Sequence, residues 1–377
     1  MSSFPEEPLD LPPSEGGGYY PASIHQKLNG NKYEIVRKLG YGPRSSTWLV
    51  LHHDPEPVYF AVQIFTVAAS ERAKSVQLPI AKAVDKLDPF LRLPVLHGSF
   101  WEDSGAGAHL CFVTNAFGKS VGVLKEADNG RLPVHVVQRI VRSVAGALEG
   151  LHGDGIMHGA ITADNVFLAL ATQSEFLKPI LDSEPAPTTV KVKKYTTVRS
   201  QSLTTTCKWN DKVKAVTEWV IYLGNLGHAQ RWNYEPEKKH DYASAPETLL
   251  QQASCSPQTD IWMLGCLTYA LLTGNAPFYS TGPPHKRIAT ICAVLEDEIP
   301  EAWLSDAKMK QYNADAHGPV VSIDAGLADA LHEDDVSAVA AFIKGCLRVD
   351  PEKRFKVDEC KTHEWLAKAN ACSCGFC

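Results

Sequence analysis

The chain has 377 residues, of which 44% are hydrophobic, and a formal net charge of −6 with both signs mixed along its length. This length and apolar content suffice for a large core, in one two-lobed domain or two ordinary ones. The slightly acidic balance disfavours direct nucleic-acid binding, and no apolar run reaches the length of a membrane span. The N-terminus lacks the basic-then-apolar order of a signal peptide. We therefore expect an intracellular protein, cytoplasmic or nuclear.

The first part of the chain divides into a polar segment and a β-rich region. Residues 1–30 are rich in Pro, Gly and Ser and acidic near the start. Such a composition buries little apolar surface, so this segment is predicted to be disordered. Residues 31–117 then combine β-rich runs with Gly and Asp-Pro breaks, around a helical stretch near 68–88. These features predict a small, sheet-rich lobe.

From Pro133 onward the pattern becomes helical. Apolar residues recur at three- and four-residue steps between Val137 and Leu151, directly after a proline that suits a first helical turn. A long polar stretch over 171–214 lacks this periodicity and is interpreted as an insert. Helical patterns then resume. The sequence therefore predicts a larger helical lobe over 118–369 that carries the insert.

Residues 370–377 form a Cys-rich tail with Cys372, Cys374 and Cys377. Three neighbouring thiols fall short of the four ligands of a structural zinc site. Gly375, directly after the cysteine at the prenylation position, fits that signal poorly. A frayed tail is favoured over a lipid or metal site, and the role of the tail stays open.

The serial order of three motifs resembles a protein kinase over Tyr33 to about Ala369. "KLGYGPRSSTWLV" resembles a glycine-rich loop, "GIMHGAITADNVFL" a catalytic loop and "YLGNL" a metal-binding motif. The Trp after Ser-Thr, the Leu-Gly-Asn and the long insert are similar to the serine/arginine-rich-protein kinase family. The resemblance implies an α+β, bilobal protein-kinase fold with a small sheet-rich N-lobe and a larger helical C-lobe.

At the glycine-rich loop the resemblance implies a vestigial nucleotide site. Gly40 and Gly42 allow a tight turn whose amides can cover phosphates, and Ser45 stands where a third glycine often lies. Gln63 takes the position of the phosphate-binding lysine, where an amide can donate a hydrogen bond but carries no charge. The positions that the family uses for the nucleotide are Leu39, Gly40, Gly42, Ser45, Gln63, Asn115 and Phe117.

Gln77 aligns with the helix glutamate that normally pairs with that lysine. Gln63 opposite Gln77 would form a neutral pair where an ion pair usually lies. Pro79 follows two residues later. Because proline inside a helix costs about 3 kcal/mol, we expect the helix to be kinked or shortened there.

The catalytic and metal motifs have lost their carboxylates. Ala160 replaces the catalytic aspartate and cannot accept a hydroxyl proton, and Thr162 replaces the lysine that follows it. Tyr222 replaces the metal-binding aspartate, and a phenol is a neutral, poor ligand for magnesium. Asn165 remains as a vestigial metal ligand. No catalytic position is intact, and the degenerate positions are Gln63, Gln77, Ala160, Thr162 and Tyr222.

The residues that stabilise the family's scaffold are retained. The resemblance implies that His158 packs the catalytic loop and that Asp260 holds the backbone of this loop. It also implies that Glu247 and Arg354 form a buried ion pair in the large lobe. Breaking such a pair by removing one partner is costly. The groups needed for folding are therefore present, whereas the charged groups needed for catalysis are not.

These losses predict a pseudokinase. Removing one stabilising group of this kind costs about 3 kcal/mol, and each 1.4 kcal/mol is about tenfold in rate. Losing the lysine and both carboxylates is therefore expected to lower the rate of phosphoryl transfer by several orders of magnitude. We expect a scaffold or allosteric regulator, whose partner is a protein such as an Arg/Ser-rich protein or an active kinase. No cofactor is expected.

Two alternatives stay open. The first is a weak or unconventional serine/threonine kinase that uses ATP and magnesium on Arg/Ser-rich proteins, with Lys38 or Arg44 as the cation and Asp164 as the carboxylate. We expect both cations instead to be solvent-facing surface charges. The second alternative is a metal-independent nucleotide-binding switch.

Overall fold

The computed structural model of the chain describes most residues between 5 and 367. The described ranges are 5–15, 17–53, 55–126, 130–192, 194–232, 245–250, 256–278, 282–304 and 320–367. The predicted Cys-rich tail lies outside these ranges. The chain forms two compact units. Unit 1 comprises residues up to Leu87, Leu93–Lys119 and Phe167–Thr206, and unit 2 comprises Asp88–Arg92, Ser120–Val166 and residues from Cys207 onward.

Unit 1 is built on a six-stranded antiparallel sheet with the strand order β1-β2-β3-β4-β6-β5. Its strands are β1 (Lys27–Leu28), β2 (Tyr33–Gly42), β3 (Ser45–His52), β4 (Val58–Phe65), β5 (Leu96–Ser104) and β6 (Gly107–Asn115). Alternating side chains of the central strands bury a core on one face, because successive residues of a strand point to opposite sides. This core includes Ile35, Trp48, Val50, Val62 and Ile64.

Two short helices connect β4 to β5. They are α1 (Val67–Arg72) and α2 (Leu78–Val84), joined by a π-helical turn over Ala73–Gln77. Pro79 lies in the first turn of α2. Gln77 and Leu78 also have helical backbone angles, so Pro79 stands in a continuous helical run whose hydrogen-bond pattern changes to that of a π-helix directly before it. The predicted interruption of this helix is therefore present, as a π-turn before the proline.

Strand β5 was not predicted from the sequence. Its residues, "LHGSFWEDS", include no β-branched side chain and alternate between half-buried and exposed. Local β-propensity is therefore low. Pairing with β6 along its length decides the conformation instead.

Residues 1–30 differ from the predicted disorder. In the described part of this segment Glu6 and Glu7 are almost completely buried, as are Tyr19 and Tyr20. Both carboxylates pair with the ammonium of Lys38. Composition missed this because burial of an acidic residue becomes acceptable once a distant residue supplies the opposite charge.

Most of unit 2 follows β6, in two stretches that begin at Ser120 and at Cys207. Its first elements are α3 (Val121–Lys125), α4 (Val134–Gly153) and β7 (Ile156–Met157), followed by β8 (Val166–Leu168) at the boundary with the insert. Pro133 caps α4, as predicted. The buried residues of α4 recur every three or four positions, which places one helix face in the core.

Most of the insert, up to Thr206, belongs to unit 1, and its last residues from Cys207 belong to unit 2. It contains α5 (Ser174–Ser183) and an antiparallel hairpin of β9 (Thr189–Val192) and β10 (Tyr195–Val198). Leu177 and Leu203 are buried in a core cluster with residues of the sheet. The structure thus differs from the predicted boundaries, because the sheet-rich unit also contains the N-terminal segment and residues 167–206. Sequence order placed the insert in the helical lobe, whereas its apolar residues pack on the sheet.

The rest of unit 2 surrounds one buried helix. Its elements are α6 (Val213–Thr217), β11 (Ile221–Leu223), β12 (Gln230–Arg231), α7 (Pro246–Leu250), α8 (Pro257–Thr273), α9 (Pro284–Leu295), α10 (Glu301–Leu304), α11 (Ile323–Ala328), α12 (Glu333–Cys346), α13 (Val357–Thr362) and α14 (Glu364–Ala367). Helix α8 is apolar on all sides and packs on α4 and α12. None of the helices in the described ranges combines the length and apolar character needed to cross a bilayer.

Two helical glycines test this packing. A Cβ on Gly345 of α12 would lie 2.0 Å from the Phe355 ring, whereas one on Gly146 of α4 meets no atom within 4 Å. Gly345→Ala should lower the free energy of unfolding by about 1–3 kcal/mol through overpacking. Gly146→Ala should raise it by about 0.5–1 kcal/mol, because alanine favours helix. Denaturant unfolding followed by tryptophan fluorescence measures both, and equal effects would contradict this packing.

Candidate functional site, a degenerate kinase centre

The turn between β2 and β3 carries the glycine motif. Gly42 pairs with Ser45 at the end of the hairpin. Neither Gly40 nor Gly42 has a positive φ, and a Cβ on either would meet no atom within 4 Å. The glycines are therefore not required by crowding within unit 1, and they leave an open backbone surface at this turn.

Gln63 lies on β4 beside this turn. Its Nε2 donates a hydrogen bond to Ser45 Oγ at 2.8 Å. Gln63 and Ser45 therefore contact each other as neutral groups. They stand at the positions of the lysine and of the third glycine in the kinase pattern. Gln77 is buried at the end of the π-turn. A Gln63–Gln77 pair stays a prediction.

Lys38 does not face solvent, contrary to the expectation from sequence. Its side chain is fully buried, and its Nζ bonds to the carboxylates of Glu6, at 2.6 Å, and Glu7. Arg44 is half-buried and also departs from that expectation. Because two carboxylates already neutralise the ammonium of Lys38, this group is a poor substitute for a phosphate-binding lysine.

The other nucleotide positions of unit 1 have local roles. Asn115 Oδ1 accepts a hydrogen bond from the backbone of Val95 at 2.9 Å. The Phe117 ring stacks on Phe167, with centroids 5.4 Å apart. Leu39 packs, half-buried, against the cluster that contains the insert leucines. These contacts explain the residues as parts of unit 1 without reference to a ligand.

In unit 2, Asp260 organises the catalytic-loop motif. Its carboxylate has no exposed surface and accepts hydrogen bonds from the backbone amides of His158, at 2.7 Å, and Gly159, at 2.8 Å. His152 Nε2 lies 3.0 Å from the same carboxylate. Gly159 has a φ of +73°, which a residue with a Cβ rarely adopts. A buried carboxylate that accepts several hydrogen bonds fixes the course of this loop.

His158 is neutral in this arrangement. Complete burial lowers its pKa. The Ala160 amide donates to His158 Nδ1 at 3.2 Å, so the ring proton lies on Nε2, which donates to the Gly224 carbonyl at 2.9 Å. His158 therefore links the catalytic motif to the metal motif through a neutral ring.

Asn165 is bonded at both ends of its amide. Its Nδ2 donates to the Ala160 carbonyl at 2.9 Å, and its Oδ1 accepts from Asn225 Nδ2 at 2.8 Å. The oxygen that would ligate a metal thus receives an amide proton from within the chain. Asn225 has a φ of +58°, a left-handed conformation that asparagine tolerates. Asn225 lies within the "YLGNL" motif, and the tolerance of asparagine for a left-handed conformation is the signal in the sequence that points to it.

Within the described residues, no group of three or more His, Cys, Asp or Glu side chains is placed to hold a metal ion. Tyr222 lies half-buried in the middle of β11, and Thr162 is exposed. A neutral phenol with an amide oxygen that is already hydrogen-bonded does not suit a cation that prefers carboxylate and water ligands. Whether the Tyr222 ring fills the vacated position stays a prediction.

The carboxylate of Asp164 lies beside Gly122 of α3. A Cβ on Gly122 of α3 would lie 2.0 Å from Asp164 Oδ1 and 3.3 Å from Ser120 Oγ. The carboxylate therefore packs against the first turn of α3. This placement weakens the hypothesis that Asp164 replaces the carboxylate that is absent at Ala160.

Glu247 and Arg354 form a buried, two-bond ion pair. Arg354 Nη1 and Nη2 donate to Glu247 at 2.8 and 2.7 Å, and Thr259 Oγ1 adds a third hydrogen bond. The guanidinium lies over the Trp262 ring, 4.9 Å from its centroid. Burial alone would raise the pKa of Glu247, but the charge and hydrogen bonds of Arg354 lower it below the ordinary value. The pair joins α7 to the chain before α13.

Comparison with known proteins agrees with this geometry. The model of the protein kinase domain family matches residues 216–366. The serine/threonine-protein kinase SRPK of Physarum polycephalum is 23% identical over 93% of this chain and 89% of its own length. SRSF protein kinase 3 of Mus musculus is 32% identical over 45% of this chain and 31% of its own length. The serine/threonine-protein kinase ppk5 of Schizosaccharomyces pombe is 22% identical over 89% of this chain and 36% of its own length.

The chain is similar to protein kinases over most of its length, and its residues 216–366 match the protein kinase domain. Its sheet-rich unit and its helical unit are those of the bilobal protein-kinase fold. Within the superfamily the chain resembles the serine/arginine-rich-protein kinases. The resemblance drawn from the three motifs is thereby confirmed.

Glu247→Gln tests the contribution of the ion pair. It leaves the buried Arg354 charge uncompensated and should lower the free energy of unfolding by about 3–5 kcal/mol. Because the folded-state pKa of Glu247 is lowered, the difference from wild type should be full above the ordinary value of 4.5 and shrink as the pH falls below it.

The matched control is Glu352→Gln, which changes an exposed carboxylate close to Arg354. It should alter stability by less than about 0.5 kcal/mol. Denaturant unfolding at several pH values gives both numbers. A Glu247→Gln protein as stable as the control would contradict the role of the pair.

Proposed function

We propose that this protein is a pseudokinase of the serine/arginine-kinase type that acts by binding other proteins and lacks effective phosphoryl transfer. The observation that carries the proposal is the neutral hydrogen-bond network of the catalytic motif. In it His158, Ala160, Asn165 and Asn225 satisfy one another. Phosphoryl transfer depends on charges that stabilise a transferring phosphate, and this network supplies none.

The placement of the cations supports the same proposal. Lys38 is neutralised by two glutamates, and Gln63 is an uncharged amide bonded to Ser45. The rival weak kinase needs Lys38 or Arg44 to balance phosphate charge and Asp164 to orient the acceptor hydroxyl. The buried pairing of Lys38 with Glu6 and Glu7 speaks against Lys38 in that role, so the rival depends on Arg44 and on the exposed Asp164.

We infer an intracellular protein partner, because charge-mediated binding survives the loss of catalysis. The chain is slightly acidic, with a net charge of −6, and it resembles kinases named for serine/arginine-rich proteins. Binding by electrostatic complementarity to a basic, Arg/Ser-rich segment needs no nucleotide. An active kinase as the partner is the alternative within the same proposal.

Nucleotide binding gives the first test. A thermal-shift titration with ATP, with and without magnesium, should leave the melting temperature unchanged at millimolar ligand, since bound ligand stabilises only the state that binds it. A shift without magnesium would favour the nucleotide-binding switch.

A radiolabel-transfer assay on an Arg/Ser-rich substrate gives the second test, with Asn165→Ala and Asp164→Ala as paired variants. We expect only background signal in all three proteins. Transfer by the wild type that disappears in both variants would establish the weak kinase instead.

Binding of an Arg/Ser-repeat peptide, measured by fluorescence anisotropy without ATP, tests the partner. We expect saturable binding that weakens with salt, and weaker binding of a peptide in which Gly replaces Arg. Equal affinity for both peptides would remove the Arg/Ser-rich partner and leave the active kinase.

A further inference from the structure

The N-terminal strap, defined as residues 5–20, is fastened to the glycine turn of unit 1. Tyr19 is almost completely buried, and its hydroxyl donates a hydrogen bond to the Gly42 carbonyl at 2.8 Å. Burial raises the pKa of Tyr19 to about 12, so the hydroxyl keeps its proton. The Tyr19 ring also contacts Tyr41 edge-on, at 6.5 Å between centroids. The strap therefore holds both the backbone and a side chain of this turn.

The strap has a specific backbone conformation. A Cβ on Gly17 would lie 1.9 Å from the Leu11 carbonyl oxygen, and Gly18 has a φ of +71°. The Gly18 carbonyl accepts a hydrogen bond from the Val67 amide at 3.0 Å. These two glycines are required by a close approach and by a left-handed turn, respectively. The described residues of the strap, 5–15 and 17–20, thus form a built element that returns onto the sheet.

A buried ion cluster ties the strap to the strand that leads into the turn. Lys38 of β2 bonds to Glu6 and Glu7 and donates to the Val198 carbonyl at 3.1 Å. The Tyr41 ring centroid lies 5.2 Å from its ammonium. A fully buried cation with two carboxylates is costly to separate, since any partner left behind remains charged and desolvated.

The same cluster ties in the insert. Glu6 accepts hydrogen bonds from the amide and the hydroxyl of Ser200, at 2.6 and 2.8 Å, and Glu7 accepts one from Thr197 Oγ1 at 3.0 Å. The backbone amide of Gln201 donates a hydrogen bond to the backbone carbonyl of Lys38 at 2.9 Å. Strap, strand β2 and insert therefore meet at one ammonium group.

We propose that the N-terminal strap, anchored through Lys38 to the insert, is an internal clamp that orders the glycine turn without a nucleotide. The inference rests on the proposed function, because a kinase that binds ATP orders this turn with phosphates. Here Tyr19 supplies the contact from within the chain, and Lys38 is withheld from any anion. Releasing the clamp would loosen the turn and uncover a buried cation, so the clamp is a point at which binding of a partner can regulate unit 1.

Two tyrosines of the N-terminal region provide a matched test. Tyr19→Phe keeps the buried ring and removes only the bond to Gly42. Tyr20 is equally buried, but its hydroxyl accepts from Gln26 Nε2 at 2.7 Å and does not bond to the turn. In the full-length protein, amide exchange of residues 40–47 should become about three- to tenfold faster in Tyr19→Phe and stay unchanged in Tyr20→Phe.

A second variant tests the anchor. Lys38→Met with Glu6→Gln and Glu7→Gln removes all three charges together, which avoids an uncompensated buried charge. Exchange in residues 5–15 and 40–47 should rise together, while α8 in unit 2 keeps its wild-type protection. If α8 also loses protection, the Tyr19 and Tyr20 variants alone decide the question.

The outcomes separate the clamp from the proposed function. Wild-type exchange over residues 40–47 in Tyr19→Phe, or an equal increase in Tyr20→Phe, overturns the clamp. Added ATP with magnesium should leave wild-type exchange in this region unchanged. Protection gained on adding ATP overturns the nucleotide-free function, while the tyrosine pair still decides whether the strap holds the turn.

Discussion

The buried carboxylate of Asp260 is the constraint on which the degenerate centre depends. It has no exposed surface and holds two consecutive amides of the loop at His158 and Gly159. Because a buried carboxylate requires several hydrogen bonds, the loop keeps the same course whatever side chain follows at position 160. The kinase scaffold can therefore persist while the residues that react are replaced.

Among the described residues, buried charges pair within their own unit and stabilise it. Glu247 and Arg354 join distant parts of unit 2, and Lys38 joins the strap and the insert to the sheet of unit 1. The positions at which the family places its reacting charges carry Gln63, Ala160 and Tyr222. Neutral side chains can complete their hydrogen bonds within the chain, as Gln63 does with Ser45 in unit 1.

Features that depend on interactions between residues close in sequence were predictable, and features that depend on distant residues were not. Helix α4 was predictable because its apolar period and its proline cap are local. Strand β5 was not, because its residues adopt the conformation only by pairing with β6. The roles of Asn225 and Asp164 were equally hidden, since their partners, Asn165 and the first turn of α3, lie far away in sequence.

The sequence by itself determined the kinase fold and the residue types at the motif positions, because motif order and residue type are written directly in the chain. Only the tertiary structure decided what the retained charges do. Lys38 looked like a surface cation, and residues 1–30 looked disordered, until the fold brought Glu6 and Glu7 to the same buried point. A buried charge is stable only beside its counter-charge, and no local pattern records a partner some thirty residues away.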